Sequence, residues 1–224
     1  MRKKYQKTIE HLNNISKWDN LQINNPKTLV IGSFNPYNPN LKSQTEFYYG
    51  RNQNRFWSTI GNLKYNNKDY FKFSLEKKIK ELQLSKFILM DLIESIEFKC
   101  DSENILEKYI NNKVFENFGD SDIWVSKKRT NPQINLRRNY NQKIIQFLSK
   151  NNTVSRIVNT LRKNKGDLNS FNKREKNWNE FTKSLFDISK QKNIEIVNES
   201  VSPSPLGCSQ KKLDSWVESF ILSN

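Results

Sequence analysis

Phe47-Tyr48-Tyr49-Gly50-Arg51-Asn52-Gln53-Asn54-Arg55-Phe56-Trp57 packs rings, amides and cations into one short run. A second polar loop, Gly32-Ser33-Phe34-Asn35-Pro36, closes the apolar stretch Thr28-Leu29-Val30-Ile31. Far downstream, Ser202-Pro203-Ser204-Pro205-Leu206 follows another β-like run. Aromatic rings supply flat faces, and amides both donate and accept hydrogen bonds. Proline and glycine make such loops rigid. The combination suits a flat heterocyclic base, stacked on a ring and read along its edge by amides. An amide can also aim a water without strongly deprotonating it, which suits hydrolysis of a bond whose leaving group carries away the charge. Leu89-Met90-Asp91 adds a carboxylate, which only accepts; it suits a partner that offers an N–H.

These residues act together only if the chain delivers them to one place. Thr28 to Gly32 is a continuous apolar run suited to a strand buried on both faces. Lys86 to Leu92, Ser155 to Thr160 and Ile194 to Val201 are further strand candidates. Helical spacing is read over 4–16, from Asn54 to Leu63, over 102–118, over 141–150 and over 172–192; Ser74 and Ser209 are expected to cap two more helices. Strands alternating with helices predict an α/β fold, a three-layer α/β/α sandwich with a central four-stranded, mostly parallel sheet. In such a sheet the carboxyl ends of the strands form one crevice. The stretch 119–140 is irregular, polar and basic, and is expected as a loop excursion from a single domain spanning 1–224.

Bulk composition narrows the function classes. The chain has 224 residues, with 35% hydrophobic residues but 14 Phe, 8 Tyr and 5 Trp to fill a core. Lys plus Arg number 38 against 23 acids, a net charge of +15, which points to a polyanion such as nucleic acid. Two cysteines, Cys100 and Cys208, are too few for a disulfide framework or a four-cysteine iron–sulfur cluster, and fit a reducing, cytoplasmic compartment. The single histidine, His11, argues against histidine catalysis and most zinc chemistry, so neither metal nor cofactor is expected. No apolar run is long enough for a membrane partner.

The three loops, in this order, resemble the uracil-DNA glycosylase superfamily. They are nearest to its mismatch-specific uracil and hypoxanthine-DNA glycosylases. Gly32-Ser33-Phe34-Asn35-Pro36 looks like a blend of the first loops of those two groups. Tyr48-Tyr49-Gly50 leading to Asn54-Arg55-Phe56-Trp57 is similar to their aromatic pair, small residue and Asn-x-Phe-Trp. Ser202-Pro203-Ser204-Pro205 looks like their Pro-Ser loop. The likeness runs in outline from about residue 27 to residue 218 and is sharp only at the loops. Arg51-Asn52 stand where relatives usually have His-Pro, and Ser202 where many have a catalytic histidine; the first loop carries no acid.

The resemblance implies a DNA glycosylase that flips a base from the duplex and cuts its N-glycosidic bond. By it, Asn35 and Asn54 are jointly the catalytic candidates. Asn35 matches the water-positioning Asn of the mismatch-specific group, and Asn54 the Asn given a catalytic role in the hypoxanthine group. Phe34, Tyr49, Gly50, Asp91 and Ser202 would bind the base, with Tyr49 as the stacking face. At Asp91 the carboxylate suits the amino group of a cytosine derivative or the lactam N–H of hypoxanthine, and suits the O4 of uracil poorly. Ser33, Arg51 and Ser204 would contact DNA, and Leu206 would wedge into the duplex. Lys127, Lys128, Arg129, Arg137 and Arg138, with Arg162, Lys163 and Lys165, would track phosphates. For Asn54 the plain reading is a helix cap, for Tyr49 a core aromatic and for Asp91 a strand-end cap. A non-catalytic DNA-binding module and, more weakly, a nucleotide hydrolase are the competing expectations. The expected partner is duplex DNA and the expected state a monomer.

Overall fold

The computed structural model describes residues 4–16, 21–40, 47–51, 53–116, 134–161, 176–197, 199–204 and 207–223. In chain order the elements are β1 (Tyr5–Glu10), α1 (Asn13–Ser16), β2 (Thr28–Gly32), α2 (Phe56–Tyr65), α3 (Leu75–Leu84), β3 (Phe87–Asp91) and β4 (Ile93–Cys100). There follow α4 (Glu103–Tyr109), continued as a π-helix over Ile110–Glu116, then β5 (Asn135–Tyr140), α5 (Gln142–Lys150) and β6 (Arg156–Asn159). The chain ends with α6 (Lys176–Gln191), β7 (Glu195–Ile196) and α7 (Gln210–Val217), which continues as a π-helix over Glu218–Leu222. It divides into two compact units, interleaved along the sequence. One holds Met1–Lys17, Ser33–Gln44 and Asp91–Asn141; the other holds Trp18–Gly32, Thr45–Met90 and Gln142–Asn224.

The larger unit carries the α/β fold expected from the sequence. Its sheet has the order β3-β2-β6-β7, and among the described residues its strands are all parallel. β2 and β3 are buried at every position, as strands covered on both faces must be. Parallel crossovers are right-handed. From β2 the chain crosses through α2 and α3 to β3, on one side; through α5 to β6 and α6 to β7 it moves the other way. The helices therefore fall on opposite faces, and the packing agrees: α5 lies against α6, and α2 against α7. The core between the layers is aromatic, with Phe56, Phe71, Phe87, Phe181 and Trp216 each under 2% exposed. Each such side chain contributes roughly 1.5–3 kcal/mol by leaving water.

Local chemistry sets the helix boundaries. Ser74 Oγ accepts from Lys77 N–H at 3.3 Å and Ser209 Oγ from Lys212 N–H at 3.3 Å, the caps expected from their positions. Asn66 ends α2 in the left-handed region, at φ 50°. α2 is stapled to α3 by Glu81, 1% exposed, whose carboxylate takes Lys64 Nζ at 2.6 Å, Tyr65 OH at 2.6 Å and the Ser85 hydroxyl.

The smaller unit corrects the sequence reading twice. Residues 4–16 were expected as a helix because Tyr5, Ile9, Leu12 and Ile15 recur at helical spacing. Instead Tyr5–Glu10 is a strand, paired antiparallel with β4 from Tyr5 opposite Cys100 to Glu10 opposite Ser95. Six ladder partners outweigh a weak local preference. The second correction is the loop expected over 119–140. Residues 134–140 are described, and Asn135–Tyr140 is strand β5, antiparallel to β4. Arg137 there faces Glu97 across the ladder. The sheet order is β1-β4-β5, with α4 packed on β4. Among the described residues no helix is long and apolar enough to cross a membrane.

Candidate functional site

Parallel strands place the carboxyl ends of β2 at Gly32, β3 at Asp91 and β6 at Asn159 along one sheet edge. The candidate residues fall into two groups, one in each unit.

In the larger unit residues 47–51 and 53–57 are tied together by short-range hydrogen bonds. Gly50 N–H donates to Phe47 O at 3.0 Å, Asn54 N–H to Arg51 O at 2.8 Å and the Trp57 indole N–H to Tyr48 O at 2.7 Å. Tyr49 sits in the left-handed region at φ 55°, a conformation that costs a non-glycine residue about 1–2 kcal/mol and persists only when its surroundings enforce it. Two contacts do so. Its ring stacks on Phe56 with centroids 4.5 Å apart and planes at 28°, and its hydroxyl bonds to Thr160 Oγ1 at 2.9 Å. Thr160 follows β6, and its own N–H donates to Ile31 O at 3.0 Å. Tyr49, Gly50 and Arg51 are half-buried.

Asn54 bonds back to the start of α2, its Oδ1 accepting from Phe56 N–H at 2.9 Å. This bond is an Asx turn leading into the helix; the N-cap position itself belongs to Arg55, which makes no side-chain cap bond, so Asn54 is not the cap expected from the sequence. Its side-chain NH2 reaches no acceptor among the described residues, so the amide keeps a donor to offer.

Arg55 joins this loop to the one at 202–208. Its N–H donates to Pro203 O at 2.9 Å, and its Nη2 donates to Ser204 O at 2.9 Å and Cys208 O at 2.7 Å. Gln210 extends the clasp, accepting from Arg55 Nη1 at 3.2 Å and donating to Thr59 Oγ1 at 2.9 Å. Ser202 is buried, and its hydroxyl lies 3.1 Å from that of Ser204. Gly207 is obligatory: a Cβ there would sit 2.3 Å from Ser202 O. Tyr49, Asn54, Ser202 and Ser204 thus share one connected support. Leu206 lies outside the described residues.

In the smaller unit Ser33, Phe34, Asn35 and Asp91 are likewise drawn together. Ser33 O accepts from Ile93 N–H at 3.0 Å and Asn35 O from Leu12 N–H at 2.8 Å. Phe34, Asn35 and Asp91 are buried. Asp91 Oδ2 lies 2.7 Å from Nε2 of His11, and the His11 ring meets Phe34 edge-on at 5.6 Å. Asp91 O accepts from Asn141 Nδ2 at 3.0 Å. The sequence reading gives His11 no role; no local signal links it to a residue 80 positions away, and a helix over its segment conceals the link. Arg55 and Thr160 also went unassigned; only the position of Thr160 at a strand end could have pointed to it.

The basic cluster does not survive as one loop. Arg137 and Arg138 stand in β5, Arg137 exposed and Arg138 only 5% exposed, which removes Arg138 from any phosphate-tracking surface. Strand alternation puts Arg138 on the inner face with Tyr140. Lys127, Lys128, Arg129, Arg162, Lys163 and Lys165 lie outside the described residues. Among the described residues no three His, Cys, Asp or Glu side chains gather to hold a metal ion.

No protein-family model matches the chain, and no curated protein or solved structure matches it.

Proposed function

We propose that the chain is a monofunctional DNA glycosylase: it everts a modified or deaminated base and hydrolyses its N-glycosidic bond, leaving an abasic site. The observation that carries this reading is the clasp in the larger unit. Tyr49 is held in a strained backbone conformation with its ring backed by Phe56, beside an Asn54 amide that still has a donor and a loop bearing Ser202 and Ser204. Rigid aromatic and amide groups at strand ends suit a stacked base better than a flexible substrate. Asn35 enters as the second water-aiming candidate by resemblance alone. The excess of basic residues supports DNA as partner and a salt-sensitive affinity. The clasp residues Tyr49, Asn54, Arg55, Ser202 and Ser204 include no amine nucleophile for a lyase step. The substrate is either a deaminated base in repair, or a modified cytosine such as a hydroxymethylated or glucosylated base of invading DNA. A monomer acting in the cytoplasm fits either use.

One observation favours a second reading, a DNA-binding module without turnover: Asn54 Oδ1 is already engaged by α2. Incubation with duplexes carrying different modified bases, followed by mass spectrometry of the supernatant, separates the two. The glycosylase reading expects a free base from at least one duplex and an alkali-labile strand. Binding without release from any duplex would leave the module.

A further inference from the structure

His11 and Asp91 form a buried pair whose geometry defines the proton positions. Backbone N–H of Asn13 donates to His11 Nδ1 at 2.9 Å, so Nδ1 holds a lone pair. The ring proton is therefore on Nε2, which donates to Asp91 Oδ2 at 2.7 Å. His11 is 4% exposed with Phe34 edge-on to its ring, and the Asp91 backbone is tied to Asn141, so the pair sits in packed surroundings.

The consequence lies at the other carboxylate oxygen. Among the described residues no donor reaches Asp91 Oδ1, although the side chain is only 11% exposed, and Oδ1 is not sealed from solvent. A carboxylate this enclosed, with one oxygen satisfied and one open, is a fixed acceptor. We propose that His11 is a positioning residue: it locks Asp91 so that Oδ1 faces a ligand group that donates an N–H, and rejects a ligand that presents a carbonyl in the same place. Two acceptors facing each other in a site with little water repel, and neither can rotate away. This rests on the glycosylase reading for the identity of the ligand, a nucleobase edge. It names the class: bases with an exocyclic amine, of the cytosine type, over their 4-carbonyl analogues.

The test uses a pair of duplexes, one with 5-hydroxymethylcytosine and one with 5-hydroxymethyluracil, which differ in the 4-substituent and in the proton on N3. Equilibrium binding and base release are both measured for the wild type, His11→Gln and His11→Phe. The wild type is expected to prefer the amine by about tenfold or more, the weight of one charge-assisted hydrogen bond. His11→Gln keeps a donor to Oδ2 and is expected to keep the preference; His11→Phe is expected to bring it below about threefold. Lack of preference in the wild type, or an unchanged preference in His11→Phe, would overturn the proposal. Binding preference without release from any DNA would end the glycosylase reading and leave this one standing. A fold-independent check comes from long-range proton–nitrogen NMR, where the single histidine gives one imidazole pattern. The Nε2–H tautomer is expected, and an Nδ1–H tautomer would overturn the proposal even if His11→Phe failed to fold.

Discussion

The Tyr49 ring is backed by Phe56 at 4.5 Å, while its hydroxyl reaches Thr160 at 2.9 Å. One side chain thus ties the loop after β2 both to the first turn of α2 and to the end of β6. The two attachments separate by substitution. Tyr49→Phe removes only the hydroxyl bond and is expected to cost about 1 kcal/mol in urea denaturation, with base release within about threefold of wild type. Tyr49→Ala also removes the ring and is expected to lower release by about tenfold or more, the scale of one base–aromatic stack. Equal release from all three proteins would make Tyr49 a core residue and nothing more.

The strands of the larger unit were legible because burial on both faces leaves an unbroken apolar run: Leu29-Val30-Ile31 and Phe87-Ile88-Leu89-Met90 admit no other compact use. Caps at Ser74 and Ser209 were legible for a local reason, a hydroxyl just before helical periodicity. The antiparallel sheet was not. Tyr5–Glu10 and Asn135–Tyr140 are polar, and their strand character comes from β4 between them, a partner far along the chain. The same distance hid His11 from Asp91. Loop chemistry at Tyr49 and Asn54 could be read in sequence, but Arg55 as the clasp could not, because its acceptors are backbone carbonyls that any residues would supply.

Arg55 is the next test. A guanidinium that sets Nη2 on both Ser204 O and Cys208 O while Nη1 donates to Gln210 Oε1 has no equivalent in lysine. Arg55→Lys is expected to lose about 2 kcal/mol of stability. Amide exchange at Gly207, which donates to Ser204 O, should quicken in the variant beyond the change in global stability. Unchanged exchange there would mean that the 202–208 loop holds its shape without the clasp.

Gly207→Ala probes the same loop from inside. The added methyl would lie 2.3 Å from Ser202 O and 2.6 Å from Ser202 Cβ, too close for either to remain in place. Displacing Ser202 is expected to cost about 1–3 kcal/mol and to lower base release more than binding. Thermal denaturation and single-turnover release read the two effects separately. A variant with wild-type values in both would show that Ser202 is not fixed by this approach.

Alkaline stability tests the staple between α2 and α3. Burial, and then the hydrogen bond to Glu81, hold the Tyr65 phenol well above its ordinary value of 10.0. The unfolded chain loses that proton first, so the phenol's contribution is complete below pH 10 and fades as pH rises past it. Tyr65→Phe removes this term. The stability gap between the wild type and Tyr65→Phe is expected to narrow between pH 9 and pH 11 in urea titrations, on the scale set by that ordinary value. A constant gap would show that Tyr65 titrates alike in both states.

Asn54 carries the sharpest division, because its two possible duties use different atoms. The Asx turn uses Oδ1, which an aspartate or serine can imitate. Aiming a water or stabilising a departing base also draws on the amide NH2, which neither can supply. Asn54→Ala is expected to lose about 1 kcal/mol with the Oδ1 bond, and Asn54→Ser and Asn54→Asp to recover most of it. If the amide is catalytic, all three variants lose base release by about a hundredfold or more, the usual range for a positioned polar group, whatever their stability. Release that follows stability, restored in Asn54→Ser and lost in Asn54→Ala, would reduce Asn54 to a turn residue and move the catalytic assignment to Asn35.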